Sequence, residues 1–517
     1  MHLQQKVVLM RAILQESTVV VLGVLLTAWF GSANSELRAD DVTIEVGAAE
    51  TDITPPLGFP MAGYFHERLN EGTKDPLKAR AIVFRGSGQQ AALVVCDLIG
   101  IWTDFSRLVK EQASQRTGIP ADCIVVSATH SHTAPDYCKA LYGWIAARNP
   151  PVSPAAMTGV EQNPERLAWI ERLIENTVQA IVKAQANATP VMLESGWVEQ
   201  QVPVAFNRRF VQKDGSVRTW VGLEYADTVR SAGPIDPEIP LLLAKSLKGE
   251  PKTVLSNYAL HLDTVGGMQW SADYPGLISQ ALQQALGPQV VSVFGTGCCG
   301  DINHVNPRGK DRNTTQFIGE SIGKTIVDGL PTLRVIDQPV LKVRSAVVRV
   351  PLQQAAPEAV AESVRVLKAV QAGEPVDFYA HVTAHKTVMI DQIRNVPRLV
   401  RDADGVLARR TTHGLIGAGD SLPVEINVIA LGQDLAIVCL PGEVFVELGL
   451  AIKRASPFRQ TMVIELSNAV ETYYVPTRAA FAGGGYEPTN STIASGGGEL
   501  LVEEAIRLLQ SAAKSVE

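Results

Sequence analysis

Short apolar runs of strand length recur along this chain, and several of them end on residues that carry chemistry. Cys123-Ile124-Val125-Val126 leads into Thr129-His130-Ser131-His132, and Thr253-Val254-Leu255 leads into Asn257-Tyr258-Ala259-Leu260-His261. Val290 to Phe294 runs into Gly295-Thr296-Gly297-Cys298-Cys299-Gly300-Asp301-Ile302-Asn303-His304, and Leu435 to Leu440 into Pro441-Gly442-Glu443. Runs that are apolar throughout, without polar alternation, read as strands buried on both faces. Between them lie segments of helical spacing, Phe105 to Thr117 and Glu165 to Ala186. Strands alternating with helices predict an α/β protein with mixed sheets and flanking helices. In such sheets a site is expected beyond the carboxyl ends of the strands.

Further elements follow the same logic. Glu45 to Ile53 predicts a strand, and Ala79 to Phe84 and Ala91 to Asp97 predict two more, joined by Gly86-Ser87-Gly88 as a hairpin. Asn149 to Pro164 is a proline-rich loop. The stretch from Pro357 to Leu407 is helical and charge-rich, including Val360 to Val370 and His385 to Val400, and is expected as a peripheral excursion. Gly498 to Ala513 predicts a closing amphipathic helix.

The first 35 residues are set apart from this pattern. Lys6 and Arg11 precede an apolar run from about Val19 to Phe30, then small residues from Gly31 to Ser35. That layout predicts a secretory signal and an exported protein, with a retained anchor as the alternative. The domain proper is expected over 36–517. A formal charge of −7 and no basic run argue against nucleic acid as a partner. Six cysteines are too few for a disulfide scaffold at 517 residues. Cys96, Cys123 and Cys439 read as core; Cys298 and Cys299 read as walls of a pocket, with a bridge to Cys138 as the weaker alternative.

In an extended chain residues two apart share a face, so His130 and His132 are expected to project together from a strand end. Two such imidazoles are metal ligands, or a ligand beside a proton-transfer group, or polar loop residues bonded to carbonyls. His130, His261 and Glu443, each at a strand end, supply the nitrogen and oxygen donors that a zinc ion takes. Singly, His261 reads as a core histidine and Glu443 as a helix N-terminal carboxylate; jointly they favour a metal.

The chain resembles the neutral/alkaline non-lysosomal ceramidases over most of its length. The resemblance is carried by Val46 to Pro56, by Ala128-Thr129-His130-x-His132-x-x-Pro135 and by Asn207-Arg208. It continues through Asp236-Pro237, His261, Pro441-Gly442-Glu443, Tyr474-Val475-Pro476-Thr477 and Tyr486-Glu487. It implies an amide hydrolase acting on a lipid or small N-acyl substrate, with Zn2+ bound by His130, His261, Glu443 and Tyr474. It also implies His132 as the proton-transfer group, with Arg208 and Tyr486 around the scissile amide. A lipid substrate would bring the protein to a membrane surface.

Two departures stand out. Asn303 replaces the serine of the family's Gly-Asp-x-Ser, which puts ceramide itself in question while leaving hydrolysis by zinc-activated water open. The C-terminal immunoglobulin-like domain of the larger members has no counterpart here. Two other readings stay open on the sequence: a two-metal ester or phosphate hydrolase binding through both His130 and His132, and a non-catalytic binding protein.

Overall fold

A computed structural model describes residues 44–148, 161–309, 311–395 and 419–514. The expected signal segment, most of the Asn149–Pro164 loop and the end of the 357–407 excursion lie outside the described residues. The elements that position the site are, in chain order, β1 (Glu45–Asp52), β2 (Lys78–Gly86), β3 (Gln89–Cys96), α1 (Thr103–Thr117), β4 (Ile124–Ala128), α2 (Cys138–Arg148) and α3 (Pro164–Ala186). Next come β5 (Thr189–Glu199), β6 (Glu238–Ser246), β7 (Pro251–Tyr258), α4 (Tyr274–Leu286), β8 (Val291–Thr296), α5 (Thr315–Gly329) and β9 (Leu341–Pro351). The last are α6 (Pro357–Gln371), α7 (Phe378–Asn395), β10 (Ser421–Leu431), β11 (Leu435–Cys439), β12 (Glu443–Val444), α8 (Val446–Ala455), β13 (Gln460–Ile464), β14 (Tyr474–Val475), α9 (Tyr486–Thr489) and α10 (Gly497–Ala513).

Local chemistry accounts for many of the boundaries. The β2–β3 hairpin turns on Ser87 and Gly88, both at positive φ, the conformation a two-residue turn needs to match strand twist. Asn163 caps α3 by accepting from the backbone N–H groups of Glu165 and Arg166, with Pro164 at the first helical position. Gly118 ends α1 in the left-handed region.

The large sheet runs in the order β8-β7-β6-β5-β1-β2-β3-β4, with Arg334–Val335 added beside β5. Its pairs are antiparallel except for β7–β8 and β3–β4. A second sheet, β9-β10-β11-β13, is antiparallel except for β11–β13. One core lies between the sheets and joins Val46, Phe84, Leu93, Leu193 and Leu255 to Ile429, Ile437, Met462 and Ile464. The outer faces are covered by helices: α1, α2 and α3 over one end of the large sheet, α4 and α5 over the other, and α8 and α10 over the second sheet. This makes four layers, helix, sheet, sheet, helix. Central strands are buried on both faces, which is why their sequences are apolar without alternation.

The two ends of the large sheet meet at the site. Thr296 Oγ1, at the end of β8, donates to Thr129 O, just past β4, at 2.8 Å. The segment after β13 crosses above β4: Asn468 N donates to Val126 O at 2.7 Å, and Ala128 N to Leu466 O at 3.2 Å. Asn468 is in the left-handed region (φ 61°). Its side chain accepts from Val126 N at 3.1 Å and donates to Asn427 Oδ1 at 2.7 Å. None of the six cysteines forms a disulfide, so the weaker alternative of a bridge to Cys138 is not realised.

Asn468→Ala strands the buried Val126 N–H and puts a residue that tolerates the left-handed region less well than asparagine at φ 61°, so it should cost about 2–3 kcal/mol in denaturant unfolding. Asn468→Gly, which tolerates the backbone, should cost less; equal losses would show that the left-handed conformation contributes nothing.

Candidate metal centre

His130 lies two residues past β4, and His132 two further on. The stretch is not an extended strand. His130 has φ 75°, and its backbone N–H and that of Ser131 both donate to Leu98 O, at 2.9 and 3.2 Å. His132 N donates to Leu262 O at 3.0 Å. The two imidazoles do meet, with ring centroids 4.9 Å apart, but through a left-handed turn instead of strand alternation. A left-handed histidine costs of order 1–3 kcal/mol and persists where its surroundings over-determine it.

His261 lies three residues past β7, in a loop held by Asp273. That carboxylate accepts from Thr264 N, Val265 N and Tyr274 N at 2.7 to 3.2 Å, and from the Thr264 hydroxyl. Glu443 opens β12, which pairs in parallel with β14 and sets Glu443 beside Tyr474. All of these side chains except His132 are at least nine-tenths buried.

The hydrogen bonds of the two deeper histidines fix their tautomers. His130 Nδ1 donates to Ile99 O at 2.6 Å, and His261 Nδ1 donates to Cys299 O at 3.0 Å. Each neutral ring therefore turns a lone pair on Nε2 inward. The two Nε2 atoms are 3.1 Å apart, and each is 3.4 Å from Glu443 Oε2. Glu443 Oε2 is buried without a hydrogen-bond donor. Three acceptors thus crowd one another, and a single proton can satisfy one of these pairs but not all three. Ligands about 2.0–2.2 Å from a tetrahedral zinc are themselves about 3.3–3.5 Å apart. The donor set, its spacing and the orphaned carboxylate oxygen all fit such an ion. Backbone carbonyls behind both imidazoles are the usual support of metal-binding histidines.

Charges around the cluster respond to the same crowding. Burial opposes the charge of Glu443, but a proton shared with His130 outweighs it and holds the carboxyl well below its ordinary range, and Glu443 in turn raises His130 against its own burial. Burial and Arg208 push His261 well down. Burial, then His130, push His132 down to about 4, so it is neutral at neutral pH.

His132 Nε2 is 3.4 Å from His130 Nε2, and the ring nitrogens of the three histidines lie within 4.8 Å of one another. Arg208 extends Nη1 to 3.4 Å from His261 Nε2 and donates from Nη2 to the Tyr474 hydroxyl at 3.0 Å. Tyr486 places its ring 5.8 Å from that of Tyr474. The structure therefore brings His130, His132, His261, Glu443, Arg208, Tyr474 and Tyr486 together. Asn303 is buried nearby in a two-residue strand paired with Phe206–Asn207, and its Oδ1 accepts from Val305 N at 3.1 Å. No hydrogen bond links it to the group above among the described residues.

A cleft of 160 Å³ opens over the cluster, walled by Tyr64, Phe65, Trp102, Tyr473, Tyr474 and Tyr486. His385 and Lys386 of α7 also line it. The 357–407 excursion is therefore not peripheral at this point. α7 buries Val382, Val388 and Met389, while Phe378 packs on Phe65 (5.7 Å) and stacks on Tyr486 (6.3 Å). The sequence marked this stretch as helical and charge-rich, which does not say what surface such a helix covers. Other features went unread in the sequence: the backbone carbonyls of Ile99 and of Cys299, the latter read only as a pocket wall, and Asp263, whose carboxylate takes His304 Nδ1 at 3.0 Å. Backbone acceptors leave no signature in residue type; the proximity of Asp263 to His261 in sequence was the available hint.

No protein-family model matches the chain, and no curated protein matches it. Among solved structures it is similar to neutral ceramidase from Pseudomonas aeruginosa, with a TM-score of 0.63 and 19% identity over 92% of this chain and 76% of that one. It is equally similar to a ceramidase complexed with C2, with a TM-score of 0.64 and 18% identity over 92% and 77% of the two chains. The four-layer fold is that of neutral ceramidase.

His261→Ala and Glu443→Gln should each abolish stoichiometric zinc binding, measured by elemental analysis after dialysis, and chelation of the wild type should lower its melting temperature. His132→Ala should keep zinc near normal, and loss of the metal there would make His132 a ligand.

Proposed function

We propose that this protein is a zinc-dependent amidohydrolase of the ceramidase type, cleaving an N-acyl amide that carries an apolar chain. The single observation behind the reading is the set of three inward-facing acceptors, His130 Nε2, His261 Nε2 and Glu443 Oε2, 3.1–3.4 Å apart on a ceramidase fold. His130, His261 and Glu443 would hold the ion, with the Tyr474 hydroxyl as fourth donor. Zinc bound there supplies Lewis acidity toward an amide carbonyl and lowers the pKa of water to about 7.

The chain's own groups supply the remainder. His132, uncharged and beside the cluster, accepts a proton at Nε2 and returns it to the leaving nitrogen. Arg208 places a fixed positive charge where the carbonyl oxygen becomes negative, and the Tyr486 hydroxyl donates in the same region. Asn303 replaces a hydroxyl with an amide, which can orient a water or a carbonyl but cannot attack one. The aromatic cleft walls suit an apolar chain on the substrate and exclude water from the amide. Crowding of all the donors around one point favours one ion over two, since two-metal sites hold their ions about 3.5–4 Å apart. The segment 1–35 supports export, with the lipid-like substrate met outside the cytoplasm.

The zinc-loaded protein should hydrolyse at least one member of a panel of ceramides, other N-acyl amides and esters. Asn303→Ser should change that rate by less than about tenfold, because loss of one orienting group is far milder than loss of a nucleophile. A zinc-loaded wild type inert on the whole panel would end the enzyme reading. Ceramide cleavage gained only by Asn303→Ser would mean that the cleft accepts ceramide and the missing hydroxyl is the nucleophile.

A further inference from the structure

We infer that Glu487 is the positioning residue that aims Arg208 at the reacting amide, an inference that rests on the hydrolase reading above. Glu487 follows Tyr486 in α9 and is fully buried. Its Oε1 accepts from Arg208 Nε at 2.9 Å. Its Oε2 accepts from the Thr219 hydroxyl at 2.9 Å and stands 3.1 Å from Arg209 Nε. One carboxylate therefore holds two consecutive arginines of the strand Arg209–Gln212 and the residue before it.

The guanidinium is planar, so fixing two of its nitrogens fixes the third. Glu487 takes Nε of Arg208, while Nη2 donates to Gly300 O at 2.9 Å and to the Tyr474 hydroxyl. Nη1 is left as the arm directed toward His261. Arg209 is drawn the other way: its Nη2 donates to Gly484 O at 2.6 Å and its guanidinium lies 4.9 Å from the Phe445 ring. Without the carboxylate, two buried guanidiniums would lose the anion they share. Glu487 thus does two things: it neutralises one of the two charges and sets the plane of the other.

A merely structural Glu487 and a positioning one differ in how the effects of two substitutions combine. The experiment is a double-mutant cycle of Glu487→Gln with Arg208→Ala on zinc-loaded protein, with metal content measured in each variant. Two readouts are taken: kcat/KM on the best N-acyl amide, and calorimetric binding of octanoate, a carboxylate like the acyl product. Glu487→Gln should lower kcat/KM by about ten- to a hundredfold and weaken octanoate, with zinc retained. In the Arg208→Ala background it should add less than threefold to either. Full additivity, or octanoate binding lost on Arg208→Ala but untouched by Glu487→Gln, overturns the inference. Equal octanoate binding by wild type and Arg208→Ala overturns it too, because Arg208 would then not face the ligand. Octanoate binding needs no turnover, so coupling seen there in a protein that cleaves no amide keeps the positioning role and removes the hydrolase reading. Thr219→Val, which takes away only the contact on Oε2, serves if Glu487→Gln fails to fold and should show the same non-additivity at smaller size.

Discussion

Three lone pairs aimed at one point dominate this structure. His130, His261 and Glu443 arrive from separate parts of the chain, their Nε2, Nε2 and Oε2 atoms stand 3.1–3.4 Å apart, and Glu443 Oε2 has no hydrogen-bond donor. Such an arrangement repels itself unless a cation lies within it. The surroundings are built to hold it regardless: Ile99 and Cys299 carbonyls lock the tautomers, and the left-handed backbone at His130 turns its ring inward.

The layered fold makes that convergence stiff. The central strands of both sheets are buried on both faces, Thr296 to Thr129 ties the two ends of the large sheet together, and the segment from Glu465 onward ties that sheet to the second one. That segment holds three non-glycine residues at positive φ, Leu466, Asn468 and Tyr473. Strain of this kind survives where buried hydrogen bonds over-determine the backbone, and here it borders the metal centre. Glu465 accepts from the Cys299 thiol and from the Val444 backbone N–H, and burial pushes its carboxyl above the usual range.

Around this rigid floor the cleft walls come from more variable pieces. Trp220, also at positive φ and 43% exposed, lies 4.7 Å from the Tyr486 ring, and Phe378 of α7 stacks on that same ring at 6.3 Å. Lys386 sets its ammonium 2.9 Å from the Tyr473 ring centroid, a cation held against an aromatic face at the cleft edge. The cleft therefore has a floor of histidine and carboxylate donors and walls of aromatic rings.

Much was legible in the sequence because it depends on local pattern. Apolar runs without alternation gave buried strands, Gly86-Ser87-Gly88 marked the hairpin, and histidines and a glutamate past strand ends marked side chains that the structure gathers into one cluster. These are properties of a residue and its near neighbours, and the periodicities of 2.0 and 3.6 expose them directly. Only the tertiary structure decided the rest. It brought His130 and His132 together through a left-handed turn where strand alternation was expected, because Leu98 O captures two successive N–H groups. It laid α7 over the cleft, since a helix's apolar face does not say which surface it will cover. And it set Glu487 against Arg208 across 279 positions of sequence, a pairing that depends on how the chain folds back and on no pattern within either segment.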